Sequence, residues 1–104
     1  MTDLGGTILA QVARKDAAKD MILPDRDGLT PDQRFFVGFA PWACENNRPE
    51  NQRVNAITDP HSPGEYRMNG VVVNMPEFGA AFSRQAGQPM ESYGEAPERV
   101  CQVW

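Results

Sequence analysis

Histidine occurs once in this chain, at His61, and cysteine twice, at Cys44 and Cys101. A zinc site takes three or four protein ligands, so one histidine and two distant cysteines make a weak donor set. The two cysteines either pair with each other or stand as two buried thiols. Long apolar runs are also missing: none approaches the ~18 residues of a membrane span. The opening residues, "MTDLGGTILAQVARKD", carry no basic leader ahead of their apolar positions, so no signal peptide is expected. Nor is there an excess of cations. Ten Lys and Arg against fourteen Asp and Glu give a net charge of -4, with the two signs mixed along the chain. Without a basic patch or basic–aromatic interleaving, nucleic acid is not the expected partner. No internal repeat or low-complexity segment occurs.

What is present fits one small unit. The 104 residues bound the chain at a single domain, and 40% hydrophobic residues allow a core of modest size. Nine Gly and nine Pro imply many loops. Leu4, Ile8 and Val12 recur at i, i+4 and i+8, which predicts an amphipathic helix from about Asp3 to Lys19. Thr30, Pro31 and Gln33 spell an N-cap, a first-turn proline and a capping-box partner, and so open a second helix. The run behind them, "RFFVGFAPWAC", is apolar nearly all round, with Pro41 placed to kink or end it. Phe35, Phe36, Phe39 and Trp42 are read as core, covered in part by a second chain. Pro49 opens a short third helix through Val54 and Ile57, closed before Pro60. In "YRMNGVVVN" the run Val71, Val72 and Val73 favours a strand. Alternation along it would put Arg67, Asn69, Val71 and Val73 on one face. Asn74 and Glu77 then read as the capping box of a last helix carrying Phe78, Ala81 and Phe82. The tail 86–104 is expected to be mostly irregular.

The loop "TDPHSPGEYR" holds the single histidine between Pro60 and Pro63, with Arg67 six residues on. Read without context, His61 is a turn residue, Arg67 a surface partner of Glu65 or Asp59, and Asp3 a helix N-cap. A further tension is that the second helix asks for cover on every side, which so short a chain has little material to provide. The chain therefore reads as a piece of something larger, or as a subunit that hides this surface in a homo-oligomer.

In order along the chain, "GLTPDQRFFVGFA", "RPE", "TDPHSPGEYR", "NMPEFGAAF" and "CQVW" resemble the C-terminal end of the neprilysin-type zinc metallopeptidases. These include neprilysin, the endothelin-converting enzymes and bacterial oligopeptidases. The resemblance runs from Asp3 to Trp104 and rests on the ordered combination. It implies that residues 1–104 form the C-terminal portion of a catalytic domain that binds peptide substrates. It implies that His61 helps stabilise the oxyanion of the tetrahedral intermediate and that Arg67 grips a backbone carbonyl of the substrate. A prepositioned imidazole and a planar, permanently charged guanidinium suit those tasks. In "DLGG" the resemblance makes Asp3 the carboxylate that orients a zinc-binding histidine. Zinc is the cofactor of the full-length family. None is expected for this chain, because the H-E-x-x-H helix and the glutamate ligand are absent from it. The resemblance also implies that Cys44 and Cys101 bond, in animal members, to cysteines upstream of the part seen here. "APWAC" departs from the family's usual "AQVW" at the end of the apolar helix. Family members are often extracellular, periplasmic or membrane-anchored, and some bacterial ones are cytoplasmic, so the location of this chain stays open.

The expected fold is α+β but mainly helical, with about four helices and one short strand after the His61 loop, as a fragment of a larger zincin-like domain. Two functions follow. In the first, the chain supplies substrate-side groups to peptide-bond hydrolysis and is inactive alone. In the second, it is a non-catalytic remnant that acts by binding or oligomerising.

Overall fold

The computed structural model describes residues 2–85 and 87–90, and these form five α-helices and one 3₁₀ turn. The helices are α1 (Thr2–Ala18), α2 (Pro31–Phe39), α3 (Pro49–Thr58), α4 (Gly64–Val72) and α5 (Pro76–Ala81), with the 3₁₀ turn Ala40–Ala43 continuing α2. The expected tail falls almost wholly outside the described residues.

α2 begins as its sequence dictates. The Thr30 hydroxyl accepts the Gln33 backbone N–H at 3.2 Å, and the Gln33 side-chain oxygen Oε1 accepts the Thr30 backbone N–H at 3.0 Å. Pro31, at the first helical position, loses no hydrogen bond there because its N–H would have had no partner. Pro41 then tightens the chain into the 3₁₀ turn. Replacing Thr30 by Ala removes half of this reciprocal cap. It should destabilise the fold by about 1 kcal/mol, read from the urea midpoint, and an unchanged midpoint would show that the cap does not hold the helix.

The core is small: Leu4 from α1, Phe36 from α2, Val71 and Val72 from α4, and Met75 before α5. α1 packs on α4 and α2 packs on α5. Phe36 meets Phe35 and Phe78 edge-on, with centroids 5.2 and 5.3 Å apart. Charge also joins α1 to α2, through the Arg14–Asp32 ion pair and the Arg14 guanidinium 5.6 Å from the Phe35 ring centroid. Between α1 and α2, Asp27 and Gly28 both take positive φ (56° and 73°) in the tight turn that brings Arg26 back to Leu29. An Asp-Gly pair suits a turn with two left-handed residues.

Three expectations are corrected. The run after the His61 loop is helix α4, and no strand occurs among the described residues. Valine lowers helix propensity by only a few tenths of a kcal/mol (about 0.5), so burial outweighs it. Gly64, Val71 and Val72 fall on one helical face and are buried, and Met68, between them, packs partly buried against the core. The alternating face Arg67–Asn69–Val71–Val73 therefore does not exist. α1 is also rotated from its predicted stripe. Its buried residues include Leu4, Thr7 and Gln11, whereas Val12 is 57% exposed. The Thr7 hydroxyl donates to the Asp3 carbonyl at 2.7 Å, which lets a polar residue face inward. Finally, α5 is capped by Met75 rather than Asn74, and the Asn74 amide instead donates back to the Gly70 carbonyl.

Trp42 departs from the core reading as well. Phe36 is buried, Phe35 and Phe39 are half-buried, and Trp42 is 54% exposed. No residue of α3 is buried, and Ile57 is almost fully exposed. The Cα radius of gyration is 15.5 Å, against about 13 Å for a compact domain of this length, and several large apolar side chains, Ile22 and Ile57 among them, are exposed.

Candidate functional site

His61 lies in the connection between α3 and α4. Pro60 and Pro63 fix φ on either side of the intervening pair, and Asp59 pins the loop from within. One Asp59 oxygen, Oδ1, accepts the His61 backbone N–H at 2.9 Å and lies 2.9 Å from His61 Nδ1. The first contact closes an Asx-type turn. These two contacts, the backbone one foremost, hold the Asp59 carboxyl below its usual range. Asp59 is then an acceptor at neutral pH, so Nδ1 carries the proton between them and Nε2 is the nitrogen left for another partner. The ring itself is exposed.

Arg67 sits one turn into α4. Its Nε donates to Asp3 Oδ2 at 2.9 Å and its Nη2 to Asp3 Oδ1 at 3.1 Å, a two-bond fork closed across 64 positions of sequence. Its guanidinium carbon also lies 4.5 Å from the centroid of the Trp42 ring, which in turn stacks on Phe39 at 5.6 Å. Arg67 is thus held between a carboxylate and an aromatic face. The hydrogen-bonded pairing lowers the Asp3 pKa and raises that of Arg67.

His61 and Arg67 line one cleft of about 250 Å³, together with Trp42, Cys44, Glu45 and Asp59. Asp3 lies at its edge, in the adjoining apolar groove of about 550 Å³ between α1 and α2, where Gly6, Ala10, Phe35 and Gly38 are neighbours. Trp42 belongs to both and forms the wall between them. Cys44 is exposed at the cleft, and Cys101 lies outside the described residues.

The donors in this cleft do not fit a zinc ion. No group of three or more His, Cys, Asp and Glu side chains that could hold a metal occurs among the described residues. His61 Nδ1 is engaged with Asp59, and the two Glu45 oxygens accept from Gly64 and Asn47. Among the described residues no helix is long and apolar enough to cross a membrane.

The Asp3–Arg67 pair has a titration signature. Because the folded pKa of Asp3 lies below its ordinary 3.8, the unfolded chain binds the proton more readily. The stabilisation is therefore fully present above about pH 3.8 and is lost as pH falls through the lower, folded value. In a carbon-detected NMR titration, Arg67→Gln should move the Asp3 midpoint upward. A midpoint that stays where it was would mean the pair does not form in solution.

The comparisons with known proteins show the family. The sequence profile of peptidase family M13 matches residues 1–101. The chain belongs to that family. Neprilysin-1 of Caenorhabditis elegans is 41% identical over 90 residues, covering 86% of this chain and 11% of that protein. Endothelin-converting enzyme 1 of Rattus norvegicus is 38% identical over 108 residues, covering all of this chain and 13% of that enzyme. Among solved structures, a zinc metalloprotease of Mycobacterium tuberculosis, seen by cryo-electron microscopy in an open state, matches with a TM-score of 0.86 and 34% identity. That match covers 98% of this chain and 15% of the protease. The neprilysin-type resemblance is thereby established, and with it a mainly helical part of a zinc-dependent protease fold. The chain spans about a tenth to a seventh of the length of these relatives.

Of the residues singled out in the sequence, the structure brings His61 and Arg67 to one cleft and ties Asp3 to Arg67. It gives Arg67 neither Glu65 nor Asp59 as its ion-pair partner. Sequence reasoning missed Asp59, Trp42 and Glu45 as parts of the cleft. The Asp-x-His spacing was a readable signal for the first, because an Asp side chain often accepts the N–H two residues on. Nothing local signals the other two.

Proposed function

We propose that this M13 chain forms the C-terminal portion of a neprilysin-like catalytic domain and supplies substrate-side groups to peptide-bond hydrolysis. The observation that carries the reading is the shared cleft: His61 and Arg67 line the same open space. With Nδ1 held by Asp59, the imidazolium form of His61 presents Nε2–H as a donor, fixed in advance for the oxygen on which negative charge develops. Arg67 has five N–H donors, of which Asp3 takes two. Those remaining can hold a backbone carbonyl of the peptide while Asp3 and Trp42 keep the guanidinium from turning. Each Asp3 oxygen keeps a second lone pair, so Asp3 can also accept a donor from residues outside this chain. Zinc, where a full family member binds it, supplies the activated water. None of the steps assigned here passes through it. The uncovered faces of α3, Trp42 and the α1–α2 groove suit the remainder of such a domain. Self-association of the chain over the same surface is the competing arrangement.

The test is a graft. This chain replaces the matching segment of the mycobacterial protease, and peptide hydrolysis is followed. The graft should cleave peptide, and Arg67→Ala should raise KM more than it lowers kcat. A folded, zinc-loaded graft in which Arg67→Ala changes neither constant would refute the proposal. The 104-residue chain by itself, dialysed after exposure to zinc, should retain far less than one equivalent. Stoichiometric zinc by metal analysis would overturn the assignment of purely substrate-side roles.

A further inference from the structure

We infer that Glu45 is a positioning residue that sets the start of α4, and with it the spacing between His61 and Arg67; the inference rests on the substrate-side reading of those two residues. Glu45 follows the 3₁₀ turn that carries Trp42. Its Oε1 accepts the Gly64 N–H at 2.6 Å, and its Oε2 accepts the Asn47 side-chain amide at 2.8 Å. With both oxygens engaged, the carboxylate has little freedom to turn.

Gly64 is the first residue of α4, and its N–H is one of those a helix cannot satisfy internally. The local N-cap is Pro63, which offers no side-chain bond. Glu45 therefore supplies the cap from 19 positions away, and its negative charge suits the positive end of the helix dipole. The fit is close enough to demand glycine. A Cβ at Gly64 would overlap the Ala43 carbonyl oxygen and crowd Glu45 Oε1. The wall that bears Trp42 and the helix that bears Arg67 thus meet backbone to backbone at this point. His61 lies three residues before the contact and Arg67 three after.

Among the described residues no other side chain does this work on the His61 side. Residues 59–63 are exposed throughout, and the Asp59 turn shapes the loop without attaching it to the body. Glu45 makes that attachment. It shares the cleft with His61 and Arg67, so a shift here moves both groups relative to each other.

Two variants separate positioning from bulk stability. Glu45→Gln keeps an oxygen for the Gly64 N–H, whereas Glu45→Ala does not. In the grafted protease, Glu45→Ala should lower kcat/KM about tenfold, and Glu45→Gln should restore it to within about threefold. In the 104-residue chain, the Gly64 amide proton should move upfield in Glu45→Ala and only slightly in Glu45→Gln. Unchanged kcat/KM in Glu45→Ala, alongside a clear loss in Arg67→Ala, overturns the inference and leaves the proposed function standing. Equal losses in the Ala and Gln variants also overturn it. No effect from either Arg67→Ala or Glu45→Ala removes the functional reading itself.

Discussion

Replacing His61 by alanine in the grafted protease should lower kcat by about 10²- to 10³-fold while KM changes little, the loss typical of removing one prepositioned donor to an oxyanion. The expectation comes from how the ring is held. Asp59 fixes both the backbone and Nδ1 of His61, and the flanking prolines restrict the loop that presents it. A donor held in this way has little reorganisation left to make as charge develops. Asp59→Asn should act in the same direction more weakly, because the amide oxygen can still accept both His61 N–H groups but without the carboxylate's charge. Should His61→Ala instead raise KM at constant kcat, the ring would be binding the ground state, and its assigned role would be wrong.

The largest effect on stability should come from Phe36→Ala. Phe36 is 1% exposed and touches the rings of Phe35, Phe78 and Phe82. Truncating such a side chain loses its transfer free energy and leaves a cavity, about 3–5 kcal/mol together. Stabilities of whole domains are roughly 5–15 kcal/mol, so the variant should lose a large share of the total and unfold at a clearly lower urea concentration. The control is Val37→Ala, next in sequence but 49% exposed, which should change stability by about 0.5 kcal/mol or less. Urea titrations of the two variants decide the matter. Similar midpoints would mean that the aromatic cluster is not the centre of the fold.

Local signals were legible in the sequence where local chemistry decides the structure. The Thr30–Gln33 box opens α2 as read, Pro41 ends it, and Pro49 begins α3. Where tertiary burial decides, the reading failed. Val71, Val72 and Val73 look like a strand because β-branching restricts χ1, but two of the three are buried in the core with Leu4, Phe36 and Met75, and that burial outweighs the propensity. α1 was misread in the opposite way. Its obvious apolar stripe ends at an exposed Val12, while Thr7 and Gln11 turn inward. The candidate site divides similarly. His61 and Arg67 are legible because they lie six residues apart in one stretch, TDPHSPGEYR, that carries the family resemblance. The Asp3–Arg67 fork and the Glu45–Gly64 contact could not, since each joins residues brought close only by the fold. Trp42 reads as core because the run that holds it is apolar nearly all round; its place beside a guanidinium at the edge of a cleft depends on where α4 runs.

The most direct test of the central claim is kcat/KM for a peptide measured on the grafted protease and on its His61→Ala and Arg67→Ala variants, with zinc content checked to be equal. If this chain supplies substrate-side groups, the graft cleaves the peptide, His61→Ala loses at least about a hundredfold, and Arg67→Ala loses through KM. If the graft and both variants cleave at the same rate with the same zinc content, neither residue takes part in hydrolysis and the claim is contradicted.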